Sequence, residues 1–169
     1  YRSFFSFDLS GVTGTVSSAT FEVRRYSHAG FRPLTLGLFD VSTPAATLIV
    51  KRTGNAIQDA AIFADLGSGD SYGSFDVATG GSFDVLSFVL NANALTNINA
   101  ALGAGFFSIG SAVQGAGTIF LGSNDEPGHG GPGYIQRLTM NIEPSAVPEP
   151  CSLALFGLGL AGIRFQRRR

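Results

Sequence analysis

Apolar and polar residues alternate with period two along most of the first 142 positions, the pattern of strands with one side in a core and the other in water. Phe5, Phe7 and Leu9 share one side of such a segment, and Ser6, Asp8 and Ser10 share the other. After turn residues at 11–14, Ala19, Phe21 and Val23 alternate with Thr20, Glu22 and Arg24, so the two segments predict a hairpin. Further strands are predicted at 34–41, 47–52, 72–77, 83–90, 105–113, 118–121 and 134–142. Segment 83–90 is apolar on both faces, which predicts a central strand covered on both sides. Helical spacing enters at Leu95, Ile98 and Leu102, with Asn91 or Asn93 as N-cap and Gly103 as the stop. Residues 55–65 predict a second, weaker helical turn with Ile57, Ala60, Ala61 and Ala64 on one side. Many short strands with glycine-rich turns predict a mainly β fold: a two-sheet, jelly-roll-like β-sandwich with one or two short helical insertions.

The pattern breaks after residue 142. Residues 143–150 read E-P-S-A-V-P-E-P, and their three prolines hold an extended path that neither helix nor sheet continues. Residues 151–163 follow without a charge, and the chain ends R-F-Q-R-R-R. As a helix that apolar run spans about 20 Å at 1.5 Å per residue, against a hydrocarbon core of roughly 30 Å. Leu153, Leu155, Phe156, Leu158, Leu160 and Ile163 together favour insertion by about 2–4 kcal/mol. Phe165 and snorkelling Arg164 and Arg167 lengthen the usable span. No polar face exists between Leu153 and Ile163, which argues against a surface helix, so the run predicts a transmembrane segment. The expected organisation is a β domain at 1–142, a linker with a motif at 143–150, a membrane segment at 151–163 and a basic cytoplasmic tail at 164–169.

Charge then narrows the partners. Charged residues make up 14% of the chain, and Lys+Arg 11 nearly balance Asp+Glu 12. Setting aside Arg164, Arg167, Arg168, Arg169 and Glu149 leaves 7 basic against 11 acidic groups, so the body offers no footprint for a phosphate backbone and nucleic acid is excluded as a partner. The one cysteine, Cys151, permits neither an internal disulfide nor a thiolate metal cage. The chain opens on Tyr1 and its one methionine is Met140, so a longer reading frame with a secretory signal upstream is expected.

Val147, Pro148, Glu149 and Pro150, then the apolar run, then the terminal arginines resemble the PEP-CTERM sorting signal of Gram-negative bacteria. The resemblance covers about the last 23 residues and rests on three unrelated features in a fixed order. It implies recognition by exosortase, a membrane cysteine protease, in species that make extracellular polysaccharide. It makes Val147, Pro148, Glu149, Pro150, Cys151 and Ser152 the sorting motif and Leu153 to Ile163 the membrane segment. Arg164, Arg167, Arg168 and Arg169 become the cytoplasmic stop. Ser or Thr usually follows the second proline; here Cys151 stands there, with Ser152 displaced by one. The opening R-S-F-F-S-F-D-L-S and V-S-S-A-T-F-E-V are similar to the first hairpin of secreted β-sandwich domains in carbohydrate-associated bacterial proteins.

The body offers little chemistry. His28 and His129 lie 101 positions apart in glycine-bearing stretches outside any ligand array, and read as loop histidines. No nucleophile elbow or phosphate-cradling loop occurs, so 67–73 and 128–133 read as turns. Ser123, Asn124, Asp125 and Glu126 form the densest oxygen cluster. A Ca²⁺ ion needs six to eight oxygens, so Asp65 and Asp70 would have to join them. No metal, cofactor or catalytic residue is expected. With no Trp, sugar stacking would fall to Tyr26, Tyr72, Tyr134 and phenylalanines. The expected function is an exported, non-enzymatic surface or matrix protein associated with exopolysaccharide or biofilm. A carbohydrate-binding or adhesive module is the alternative, ahead of a small surface hydrolase.

Overall fold

The computed structural model describes residues 1–29, 32–50, 53–79, 83–103, 105–121 and 135–144. The elements run β1 (Arg2–Asp8), β2 (Thr15–Ala29), β3 (Leu34–Asp40), α1 (Ala45–Leu48), α2 (Ala56–Asp65), β4 (Ser71–Val77) and β5 (Val85–Val89). α3 (Ala92–Ala101), β6 (Phe106–Gln114), β7 (Thr118–Leu121) and β8 (Gln136–Glu143) complete the order. Among the described residues two antiparallel sheets form. One has the order β1-β6-β3-β4; in the other, long β2 carries β5, β7 and β8.

Side chains of both sheets meet in one hydrophobic cluster. Phe21 of β2 is fully buried, with its ring 4.9 Å from Phe5, 6.0 Å from Phe7 and 6.2 Å from Phe88. Phe5, Phe7 and Leu9 do share an inward face, as the alternation predicts. The hairpin does not form. β1 pairs with β6 and β2 with β5, β7 and β8, so residues 9–14 cross from one sheet to the other. Alternation sets which side of a strand faces the core; it carries no information about the neighbouring strand.

Two other strand expectations are corrected. Segment 83–90 is not a central strand: among the described residues β5 pairs only with β2, and Val85 and Val89 are 42% and 70% exposed. Burial on both faces belongs to β6, whose Phe107 and Ile109 enter the core while Ser108 and Gly110 are covered from outside. A Cβ on Gly110 would lie 2.5 Å from the Leu66 carbonyl oxygen, so only glycine lets the segment after α2 pack that closely. In the described part of the strand expected at 47–52, α1 takes its place at 47–48: Pro44 is the helix N-cap, its carbonyl accepts from the Thr47 and Leu48 N–H groups, and Ala45 and Ala46 favour the helix; residues 51–52 lie outside the described residues. Only Leu48 of α1 is buried.

The helix at Leu95 and Ile98 forms as α3, and Asn91 rather than Asn93 is its N-cap, accepting from the Ala94 N–H at 3.2 Å. Gly103 follows with φ 69°, the left-handed conformation of a helix stop. The second helix is longer than one turn and rotated from the expected face, since Ile57 is 84% exposed and Asp59, Ile62 and Leu66 turn inward. Its acidic residues are tied down. Asp59 accepts from the Thr53 N–H and hydroxyl, and Asp65 accepts four hydrogen bonds from Ser42 and Thr43. Arg2 clamps the C-terminal end of the helix, donating to the Phe63 and Ala64 carbonyls at 2.6 and 2.8 Å with its guanidinium over the Phe63 ring.

Candidate functional site

The sequence puts its strongest signal at the C-terminus, and β8 is the element that leads there. Leu138 and Met140 of β8 pack against the core, while Arg137, Thr139 and Asn141 face outward. Its partner along the whole length is β2, from Val23 opposite Gln136 to Thr15 opposite Glu143. On the outer face Arg137 and Glu22 form an ion pair at 3.5 Å, and the Asn141 amide donates to the Ser18 hydroxyl at 2.7 Å. The register shifts between Val16 and Ser18, and the Ser17 hydroxyl reaches the Asn141 carbonyl across the irregularity.

The end of this ladder is braced from α3. The Asn99 side chain accepts from the Val16 N–H at 2.8 Å and donates to the Val16 carbonyl at 2.9 Å. It thus pairs with β2 as a neighbouring strand would. The same amide donates to the Leu95 carbonyl at 2.8 Å, which fixes its orientation on the helix. Gly14, with φ 115°, packs so closely on the last two residues of β8 that a Cβ would lie 2.6 Å from the Glu143 carbonyl oxygen. The chain therefore leaves the folded body from a strand held by main-chain pairing, the core and an amide brace.

Val147, Pro148, Glu149, Pro150, Cys151 and Ser152 lie outside the described residues, as do the apolar segment through Ile163 and the four terminal arginines. Among the described residues no helix is long and apolar enough to cross a membrane.

In the body, the structure rearranges the candidate chemistry. His28 belongs to β2, opposite Ile119, and not to a loop; His129 and Ser123 to Glu126 lie outside the described residues. Asp65 is committed to Ser42 and Thr43. Burial opposes its charged form, yet hydrogen bonds from both residues outweigh this and hold its carboxyl below the usual value. Asp70 uses its carbonyl to accept the Asp40 N–H at 2.8 Å. Among the described residues no group of three or more His, Cys, Asp or Glu side chains gathers to hold a metal.

Tyr72 is no sugar platform. It is fully buried and stacked on Phe107 at 5.5 Å, donating its hydroxyl to Asp40 at 2.7 Å and accepting from Asn97 at 3.0 Å. Burial, and then the Asp40 carboxylate, push its ionisation far above the ordinary tyrosine range. Tyr26 is 39% exposed and meets Phe83 edge-on at 5.7 Å; Tyr134 lies outside the described residues.

Sequence reasoning missed two features near Tyr26. Arg25 is 3% exposed and donates to the Ala78 carbonyl and the Asp84 carboxylate, each at 2.7 Å. Beside it, Phe83 has φ 73°, held by hydrogen bonds of its N–H to the Arg25 carbonyl and its carbonyl to Arg24. The run of two arginines in an alternating strand was the available signal, since one of them has to face inward. A cavity of about 250 Å³ lies between β1 and the helical segment, lined by Phe4, Leu48, Val50, Asp59, Ile62, Phe63 and Leu66.

A β body with its last strand pinned and a sorting signal beyond it defines an exported protein addressed by its C-terminus. The PEP-CTERM protein-sorting motif matches residues 146–169, and the chain carries that motif. It marks a protein sent through the cell envelope and recognised by exosortase. No curated protein and no solved structure matches the chain.

Proposed function

We propose that this chain is a non-enzymatic surface or extracellular-matrix protein, cleaved by exosortase near Pro150 and retained with exopolysaccharide or biofilm. The observation that carries the reading is the sorting motif at residues 146–169, which begins within a few residues of the end of β8. On this reading residues 1–142 are an extracellular, jelly-roll-like β-sandwich, 143–150 the linker and sorting motif, 151–163 the transmembrane segment and 164–169 the cytoplasmic stop. The contacts of Phe5 and Phe7 with Phe21 across the two sheets support the sandwich. The basic residues flanking the apolar run all lie on its C-terminal side, which supports a body outside and a tail inside.

Expression in hosts with and without exosortase tests the route. The expected result is a shortened extracellular species in the first host and an intact membrane-held species in the second. A carbohydrate-binding module is the second reading, favoured by the exposed Tyr26 ring against Phe83 beside two arginines. Glycan-array binding lost in Tyr26→Ala would support it; an array without signal would remove it.

A further inference from the structure

We propose that the outer edge of β5 is a self-complementary docking strand through which two copies of this chain join their sheets. The hydrogen bonds flanking β5 fix its parity: the Leu90 N–H donates to Ala19, and the Arg25 N–H donates to the Asp84 carbonyl. Even-numbered positions therefore face β2, and Val85, Ser87 and Val89 turn their N–H and C=O groups away from it. Among the described residues no strand pairs with that side. Beyond Val89 the edge is closed by the Asn91 N–H donating to the Tyr72 carbonyl, so the open stretch has a defined end.

Within Val85–Val89 this edge lacks the charges, prolines and bulges that block strand addition; it is protected only by its length of five residues and by Asp84 just before it. Val85 to Val89 contains no charge, proline or glycine, and its ladder with β2 has no bulge. By contrast, β1 carries Arg2 and Asp8, β4 carries Asp76, and β8 carries Arg137 and Glu143. The order V-L-S-F-V is also symmetric in character about Ser87. A two-fold axis at Ser87 sets Ser87 against Ser87 and Val85 against Val89 in an antiparallel pair. All three outward-facing residues of each copy are then paired, in about six main-chain hydrogen bonds. The axis brings no like charges together, because the flanking Glu22 is already matched by Arg137 in its own copy. The occupant that fits is therefore a second copy. A five-residue edge covers well under the roughly 1,200 Å² of a stable interface, so the contact is weak and depends on local concentration. This inference does not rest on the sorting motif.

Disulfide trapping of the full-length chain in whole cells of an expressing bacterium tests it, with Cys151→Ser in every variant to remove the native thiol. Directly opposed antiparallel residues lie about 5.5 Å apart, within the roughly 4.4–6.8 Å that a disulfide spans. Ser87→Cys should give at least tenfold more oxidised dimer than Asp76→Cys, an exposed control with the same tail. Val85→Cys and Val89→Cys should cross-link when co-expressed and not singly. Adding Val89→Lys to Ser87→Cys should cut the dimer at least tenfold, and Val89 is exposed enough for the fold to be unaffected. The proposal is overturned if Ser87→Cys does no better than the control, or if Val85→Cys alone cross-links equally well. Indifference to Val89→Lys, or cross-linking to other proteins instead of itself, also overturns it.

Discussion

Replacing Asn99 by Ala removes the brace between α3 and the end of β2 that pairs with the last residues of β8, from which the C-terminal tail departs. Val16 is 3% exposed, so its N–H and carbonyl, both satisfied by Asn99, have no ready access to water once the amide is gone. Each orphaned main-chain group costs about 1–3 kcal/mol, giving about 2–6 kcal/mol in total. The better helix propensity of Ala returns at most about 0.7 kcal/mol. Against a typical domain stability of about 5–15 kcal/mol that is a large fraction. Guanidinium titration followed by far-UV circular dichroism measures the loss, and hydrogen exchange at the Val16 amide reports it locally. Asn99→Asp adds a sign test. The carboxylate still accepts from Val16 but repels the Val16 and Leu95 carbonyls, whereas the protonated acid can donate. Its folded pKa is therefore raised, so the variant is least impaired below the unfolded value of about 3.9 and loses stability as pH rises through the folded value. A loss below 1 kcal/mol in Asn99→Ala, with unchanged Val16 exchange, would refute the brace.

Phe21→Ala empties the centre of the cluster that joins the sheets and should cost about 3–5 kcal/mol in the same titration. Asp65 has a lowered folded pKa, so its contribution is complete above the unfolded value and lost as pH falls through the folded one. Asp65→Asn should accordingly flatten the acid limb of the stability profile, and a limb unchanged by the substitution would show that Asp65 does not anchor Ser42 and Thr43. Glu149→Ala should block C-terminal processing while leaving the circular dichroism spectrum of the body intact, as read by immunoblot and spectroscopy.

Legibility in the sequence followed the range of the forces involved. The faces of β1 and β2 were visible because alternation at Phe5, Phe7, Phe21 and Val23 is a local consequence of half-burial. α3 was visible for the same reason, through its cap, its spacing and its stop. Strand neighbours were not, since the pairing of β1 with β6 joins residues about a hundred positions apart and leaves no local trace. β5 misled because its two-sided apolar character was read as burial, when Val85 and Val89 lie at an open edge. α2 misled in the opposite sense: Asp59 and Asp65 turn inward because Thr53, Ser42 and Thr43 satisfy them, which only the folded chain reveals. The sorting motif needed no fold at all, because it is a linear signal of proline, apolar length and terminal charge.

The intact mass of the extracellular protein from a host with exosortase tests the central claim most directly. The account predicts a species that lacks everything after about Pro150. A fully soluble extracellular species still ending in Arg169 would contradict it.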